Sequence, residues 1–408
     1  SAVDTFRQVL ERAPGNTEAV DALERLLSDE EHQVTAAELL EPYYGGVENW
    51  QKLVRVSEIL AANSYDPLAK TELLHRIADL YEIAGDDSAS AFAVYGRALR
   101  ENPSHEETQA RLERLAGQLD GGFADLIELY QGIVAEVVDE VLVVSLHSRV
   151  ATFYEEELND PRQAAAAYKR ILEVSPQNLA AIDSLARIYT ATEAYDDLVD
   201  VLLKKAEQVF EADSRKDILY RAAQIQQEIV ENADAAISIY QQIIEIDDRD
   251  AKALDALESI FIELQRWEQL KEVYSRKVEL ADEMDQKSAA LVRLGALYEE
   301  ELGDFDQATE TFQSLLDLDG TDLRALEALD RLHQRGARWY ELLQVLEQQV
   351  ELHGGTSAEG IAIKYRIGQL WQTELGDLSR AVETYRDVVS LNPEHSAALA
   401  ALDAIAHG

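Results

Sequence analysis

Apolar residues recur at intervals of three and four along the chain, with polar residues between them, which is the period of an amphipathic α-helix. Leu291, Leu294 and Leu297 illustrate this spacing. Glycine and proline residues fall between the apolar runs, as at Pro176 and Gly303, where they favour the end of a helix. The pattern predicts an all-α protein built of short helices joined by turns.

The helical pattern repeats with a period of 72 or 73 residues. One series of equivalent aromatic residues consists of Tyr95, Tyr168, Tyr240, Phe312 and Tyr385. A second series consists of Trp50, Phe123, Tyr195, Trp267 and Trp339. A fixed period is typical of a repeat protein, in which each unit packs on its neighbours and recurring aromatic side chains fill the space between them. We therefore expect both series to contribute to the core.

A recurring motif occupies one half of each period. In residues 289–320 it consists of Leu294, Gly295, Tyr298, Gly303, Asp304, Phe305, Ala308 and Phe312. The order and spacing resemble those of the tetratricopeptide repeat, apart from one extra residue between Tyr298 and Gly303. The other half keeps the spacing but departs from the family's residue types, as with Leu270 where that family has a small residue. The chain therefore resembles alternating tetratricopeptide repeats and degenerate units of the same kind.

The resemblance implies a right-handed α-solenoid of antiparallel helical hairpins, with about eleven units and four helices in each period. We expect residues 1–408 to form a single solenoid, and to be a fragment of a longer array because the terminal helices would leave apolar stripes uncovered. The register breaks once, because Phe6 and Tyr95 lie 89 residues apart, an excess of about one helix. We therefore expect an irregular segment with an extra helix at residues 28–50.

The charge of the chain is strongly negative. Its 408 residues include 37 Lys and Arg against 79 Asp and Glu, which gives a net charge of −42 at pH 7. A field of this sign repels nucleic acids and anionic membranes, so neither is an expected partner, whereas a basic protein would be attracted. Solubility of a long array, or adaptation to a salty cytoplasm, would explain the same composition without recognition.

The sequence contains no constellation of catalytic or metal-binding residues that we can identify. Cysteine is absent, which removes thiolate nucleophiles, disulfides and thiolate-bound metal sites and leaves the redox compartment undetermined. The eight histidines are scattered singly, without the His-Glu-x-x-His motif or a glycine-rich phosphate loop. No apolar run reaches the roughly 18 residues that predict a membrane-spanning helix. We expect a non-enzymatic protein without a cofactor or a metal, and without membrane insertion.

Charged residues recur at equivalent positions on the first helices of the hairpins. Three acid–arginine pairs stand four residues apart, namely Asp21 and Arg25, Asp183 and Arg187, and Glu327 and Arg331. Three glutamates each directly follow a tyrosine, namely Glu82, Glu155 and Glu299. The resemblance implies that the pairs line the concave groove where ligands of the family bind. We expect each arginine to reach its own acid, which either neutralises it or holds it ready for a partner.

These features predict an interaction scaffold that binds a basic protein or peptide along an acidic concave surface. The alternative is a structural segment in which arrays associate with one another through exposed apolar stripes at their ends. A scaffold would be monomeric unless its ends pair, so concentration-dependent scattering separates the two.

Overall fold

The structure, a computed structural model, describes residues 2–407. These residues form 23 α-helices and three π-helical turns and contain no strand, which confirms the all-α helical repeat fold and corresponds to about eleven hairpins. The chain divides into two compact units, Ser1–Phe210 and Glu211–Gly408. The right-handed sense of the array, and its organisation as one solenoid, stay predictions.

The first unit carries helices α1 to α12. They are α1 (Ala2–Arg12), α2 (Thr17–Leu26), α3 (Gln33–Gly46), α4 (Trp50–Ala62), α5 (Pro67–Asp79), α6 (Ser88–Glu101), α7 (Glu106–Ala116), α8 (Gly122–Val134), α9 (Glu140–Thr152), α10 (Pro161–Val174), α11 (Leu179–Ala191) and α12 (Tyr195–Gln208). From α3 onward each odd-numbered helix packs against the even-numbered helix that follows it. We call the odd-numbered member the first helix of the hairpin.

The second unit carries helices α13 to α23. They are α13 (Ala212–Glu228), α14 (Ala233–Ile246), α15 (Ala251–Glu263), α16 (Trp267–Leu280), α17 (Met284–Leu297), α18 (Phe305–Leu318), α19 (Leu323–Arg335), α20 (Trp339–His353), α21 (Ala358–Thr373), α22 (Leu378–Leu391) and α23 (Ser396–His407). Its odd-numbered helices from α13 to α21 are again the first helices of hairpins.

The extra residue in the motif is accommodated by a π-helical turn. Such turns extend three first helices at Leu80–Ala84, Phe153–Glu157 and Tyr298–Leu302. In the second of these turns the Leu158 amide donates to the Phe153 carbonyl at 3.0 Å, the i→i+5 bond that lets a helix absorb one additional residue. Asp160 then caps α10 by accepting a hydrogen bond from the Gln163 amide at 3.0 Å, which starts the second helix.

In every second hairpin an aromatic side chain of the second helix packs against the first helix. Tyr385 is fully buried, and its hydroxyl donates to Gln372 at 2.8 Å, which satisfies its polar atom inside the core. The facing first helix carries Gly368, where a Cβ atom would lie 2.5 Å from the Tyr385 ring. Gly295 faces Phe312 in the same way, at 2.7 Å. Four of the five residues of the first aromatic series are therefore buried in the core. Tyr168, the fifth, and Trp50 of the second series are partly buried against it.

Helix α3, which falls within the segment 28–50 where the sequence predicts an extra helix, lies between α2 and α4 and packs against both. It contains Pro42 in its interior, and Tyr44, which is buried, donates a hydrogen bond to Glu24 on α2. Lys52 on α4 reaches the same carboxylate at 2.5 Å. A single acid on α2 thus holds the two helices that follow it.

Candidate protein-binding surface

Ion pairs join successive first helices of the first unit. Arg76 on α5 pairs with Glu41 on α3 at 3.0 Å. Arg114 on α7 pairs with Glu82, which lies in the π-helical turn that ends the preceding first helix, at 2.6 Å. Each pair therefore crosses from one hairpin to the next.

The same arrangement continues to α11. Arg149 on α9 pairs with Glu113 on α7. Arg187 on α11 uses both terminal nitrogens on the carboxylate of Glu155, with the Nη2–Oε2 distance at 2.9 Å. The hydroxyl of Tyr168 donates to that carboxylate at 3.2 Å, so Glu155 accepts bonds from two directions.

The second unit repeats both kinds of pair. Arg293 on α17 pairs with Glu258 on α15 at 2.6 Å, and Arg331 on α19 pairs with Glu299 at 3.0 Å. A third pair is bidentate, since Arg366 on α21 donates to both oxygens of Asp330 on α19 at 2.8 and 2.9 Å. We call the seven cross-hairpin ion pairs the ladder and each pair a rung, and we call the surface of the first helices that carries them the ladder face.

The expected pairing within each helix is wrong. Arg187 pairs with Glu155 and not with Asp183, whose partner is Lys205 at 2.7 Å. Sequence reasoning missed this because the true partner lies 32 residues upstream, one hairpin away. Glu82, Glu155 and Glu299 each stand 32 residues before an arginine, and this recurrence was the signal that could have found the pairing.

The other two expected pairs fail as well. Arg331 takes Glu299 as its ion-pair partner and reaches only the backbone carbonyl of Glu327, at 3.4 Å. Among the residues that the structure describes, neither Asp21 nor Arg25 forms an ion pair, and both are exposed. Of the six residues of the expected pairs, two arginines therefore belong to the ladder, Asp183 pairs with Lys205, and the other three are exposed without an ion pair in the described residues.

The carboxylates of these rungs are more covered than the guanidinium groups. The side chains of Glu82, Glu155 and Glu299 are no more than 20% exposed, while Arg187 and Arg331 are exposed. Hydrogen bonds from Arg187 lower the pKa of Glu155 below its ordinary value, and the same pairing raises the pKa of Arg187. The three glutamates predicted to supply negative charge are thus neutralised by arginines.

Unpaired carboxylates lie directly beside the rungs. Glu156 and Glu157 follow the rung residue Glu155 and are exposed. Glu300 and Glu301 follow Glu299 in the same way. None of these four forms an ion pair within residues 2–407, so exposed, unpaired negative charge directly follows the predicted residues in the chain.

A hollow of about 540 Å³ opens on the ladder face of the first unit. It is lined by Glu41, Pro42, Gly45, Leu53, Ser57, Arg76, Asp79, Leu80, Ile83 and Ala84. Most of its wall is apolar, the rung between Arg76 and Glu41 borders it, and the exposed side chain of Ile83 stands at its rim. Its volume lies in the range of about 300–1,000 Å³ that is usual for binding pockets.

Two segments of the chain match a family model. The tetratricopeptide repeat model matches residues 289–320 and residues 362–395, which include the rung residues Arg293 and Arg366. Residues 289–320 and 362–395 are tetratricopeptide repeats. A comparison with curated protein sequences found no match.

Several solved structures are similar to this chain. YrrB, a tetratricopeptide-repeat protein with an unusual peptide-binding site, is 17% identical over 45% of this chain and 90% of its own, with a TM-score of 0.28. The C-terminal part of a repeat-containing protein from Cytophaga hutchinsonii is 14% identical over 62% and 98%, with a TM-score of 0.31. Cut9 with Hcn1, from the APC/C, is 13% identical over 99% and 89%, with a TM-score of 0.23.

The tetratricopeptide repeats indicate the general function of the protein. It is a protein–protein interaction scaffold, and the tetratricopeptide-repeat fold is typically non-catalytic. Within residues 2–407, no helix has the length and apolar character needed to cross a membrane. In the same part of the chain, no group of three or more acidic or histidine side chains is arranged to hold a metal ion.

Proposed function

We propose that this scaffold binds a basic protein or peptide along the ladder face. The observation that carries the proposal is the set of exposed, unpaired glutamates beside the rungs, Glu156 and Glu157 in the first unit and Glu300 and Glu301 in the second. Lysine or arginine side chains of a partner would meet these carboxylates without having to break a rung. The net charge of −42 would speed the approach of such a partner.

The nine candidate residues take three roles in this proposal. Glu82, Glu155 and Glu299 hold arginines in place. Asp21 and Glu327 supply exposed negative charge, while Asp183 is exposed and pairs with Lys205. Arg25, Arg187 and Arg331 donate to the partner's backbone carbonyl groups, because a guanidinium has five N–H donors and a rung uses only some of them.

The hollow on the first unit would seat an apolar side chain of the same partner. Its apolar wall favours burial of such a group. Its acids Glu41 and Asp79 already pair with Arg76 and Arg111, so the partner's basic residues would meet the unpaired glutamates beside the rungs. A partner segment that alternates basic and apolar residues fits both features.

The test compares two variants of equal charge. In the face variant Glu156, Glu157, Glu300 and Glu301 become glutamine. In the control variant four exposed acids of second helices, Asp125, Asp200, Glu310 and Glu347, become the corresponding amides. Calorimetry at low salt with a lysine-rich peptide of about twelve residues measures the affinity of each.

We expect the face variant to bind about 2- to 30-fold more weakly than the wild type at each unit, since two exposed ion pairs are lost there and each contributes about 0.2–1 kcal/mol. The control variant should lose much less, because only the long-range field changes. An equal loss in both variants would show that net charge alone attracts the peptide, and the proposed surface would then be wrong.

A further inference from the structure

Exposed apolar residues recur in the loops of the first unit. Tyr65 stands before α5 and is 100% exposed, and Val138 stands 73 residues later before α9 and is 93% exposed. Three residues after each of them, Leu68 and Val141 are also exposed. Phe210, at the same register before α13, is exposed as well. A single exposed apolar side chain is ordinary, but a pair that recurs at the repeat period is not.

Packing against the helix that follows does not explain why these positions are apolar. An apolar residue just before the N-cap of a helix commonly packs against the first turns of that helix. Such packing would bury a large part of the side chain, whereas Tyr65 and Val138 are almost wholly in solvent. In the second unit the equivalent positions hold Asp282 and Gly355, so the fold itself does not require an apolar residue there.

The apolar residues are surrounded by carboxylates. Asp66 caps α5 by accepting from the Leu68 amide at 3.2 Å, and Asp139 caps α9 by accepting from the Val141 amide at 2.9 Å. Glu140 is exposed beside the second cap. In the described chain none of the three acids forms an ion pair, so each apolar pair sits next to free negative charge.

We propose that Tyr65, Leu68, Val138 and Val141 form a second docking surface, the apolar edge, for a partner segment that carries two apolar side chains flanked by lysine or arginine. The free carboxylates select the basic flanks. A second copy of this chain is a poor occupant, because the same acids would face each other. The apolar edge shares no residue with the ladder, so it stands independently of the proposed function.

The spacing of the two loops sets the length of the partner segment. Loops that lead from a second helix to the next first helix all lie at the same end of the hairpins. From α5 through α7 to α9 there are two steps of about 10 Å each, the usual distance between packed helices. An extended chain covers the resulting span of about 20 Å in about six residues. The two apolar side chains of the segment should therefore be about six residues apart.

The experiment uses three synthetic peptides on the full chain. All are lysine-rich and about fourteen residues long. The first has two leucines six residues apart, the second has them adjacent, and the third has serine in place of both. The edge variant carries Tyr65→Ser, Leu68→Ser, Val138→Ser and Val141→Ser. A separate serine control carries Met284→Ser and Tyr340→Ser at exposed positions of the second unit. Fluorescence anisotropy measures binding, and circular dichroism checks the fold.

We expect the wild type and the serine control to bind the spaced-leucine peptide at least about tenfold more tightly than the serine peptide. The edge variant should lose this preference while binding the serine peptide as the wild type does, since that peptide reports only on charge. The adjacent-leucine peptide should gain less affinity over the serine peptide, because its leucines reach only one of the two loops.

Two results would overturn the inference. One is a leucine preference that survives in the edge variant or is absent from the wild type. The other is a wild-type dimer in sedimentation that the edge variant abolishes, which would make a second copy the occupant. The serine peptide tested against the face variant judges the proposed function separately, so either proposal can fail alone.

Discussion

Replacing Glu155 by glutamine tests the ladder at one rung. The change keeps the shape of the side chain but removes the charge that Arg187 pairs with through two nitrogens. An exposed ion pair contributes about 0.2–1 kcal/mol, and bidentate geometry on a covered carboxylate places this one at the upper end. We therefore expect a coupling energy of about 1 kcal/mol between Glu155 and Arg187.

A double-mutant cycle isolates that coupling. The variants are Glu155→Gln, Arg187→Gln and the two together. Because a long repeat array does not unfold in a single step, the readout is amide hydrogen exchange of α11, which reports its local opening. A loss of 1 kcal/mol corresponds to about fivefold faster exchange.

The matched control is a second cycle on Asp183 and Arg187, the pair that helix spacing alone would join. Its coupling should be close to zero, because Asp183 is held by Lys205 at 2.7 Å. The reasoning is refuted if this second coupling equals or exceeds that of Glu155 with Arg187.

Two further predictions concern packing and pH. Gly295→Ala should destabilise the α17–α18 hairpin by about 1–3 kcal/mol, since the new methyl group would lie 2.7 Å from the Phe312 ring; exchange in α17 measures this, and an unchanged rate would contradict the close packing. The wild type should be more stable than Glu155→Gln, and this advantage should be complete above about pH 4.3, the pKa of a glutamate in the unfolded chain. It should vanish as the pH falls through the pKa of Glu155 in the folded protein, which is lower. Exchange or thermal unfolding of both proteins across this range measures the difference, and a gap that persists unchanged into strong acid would contradict it.

The repeat fold could be predicted from sequence because each hairpin solves the same packing problem. The spacing of Tyr95, Tyr168 and their equivalents reflects a core position that recurs once per period, and an amphipathic pattern of period 3.6 leaves little choice of element. The extra residue before Gly303 was visible in the sequence. Its outcome, a π-helical turn, depends on hydrogen bonds that no local pattern specifies.

The candidate surface was predicted less well, because its contacts are non-local. Residues four apart on one helix were paired, whereas Arg149 reaches Glu113 across a whole hairpin. Arg76, Arg149, Arg293 and Arg366 recur in the same 72- and 73-residue register as the aromatic series, and this signal was available. The exposure of Glu156 beside the covered Glu155 follows from which carboxylate the arginine takes, and only the folded chain decides that.

The two kinds of rung constrain how such an array can grow. Within each unit, arginines of degenerate repeats reach acids of π-helical turns 32 residues back, while arginines of the regular repeats reach acids 35 or 36 residues back. Duplicating a single hairpin would set two first helices of the same kind side by side and leave a rung without its partner. Duplicating two hairpins together keeps every rung intact. Gene duplication should therefore retain even-numbered insertions of hairpins, and the heritable module of the array is the pair.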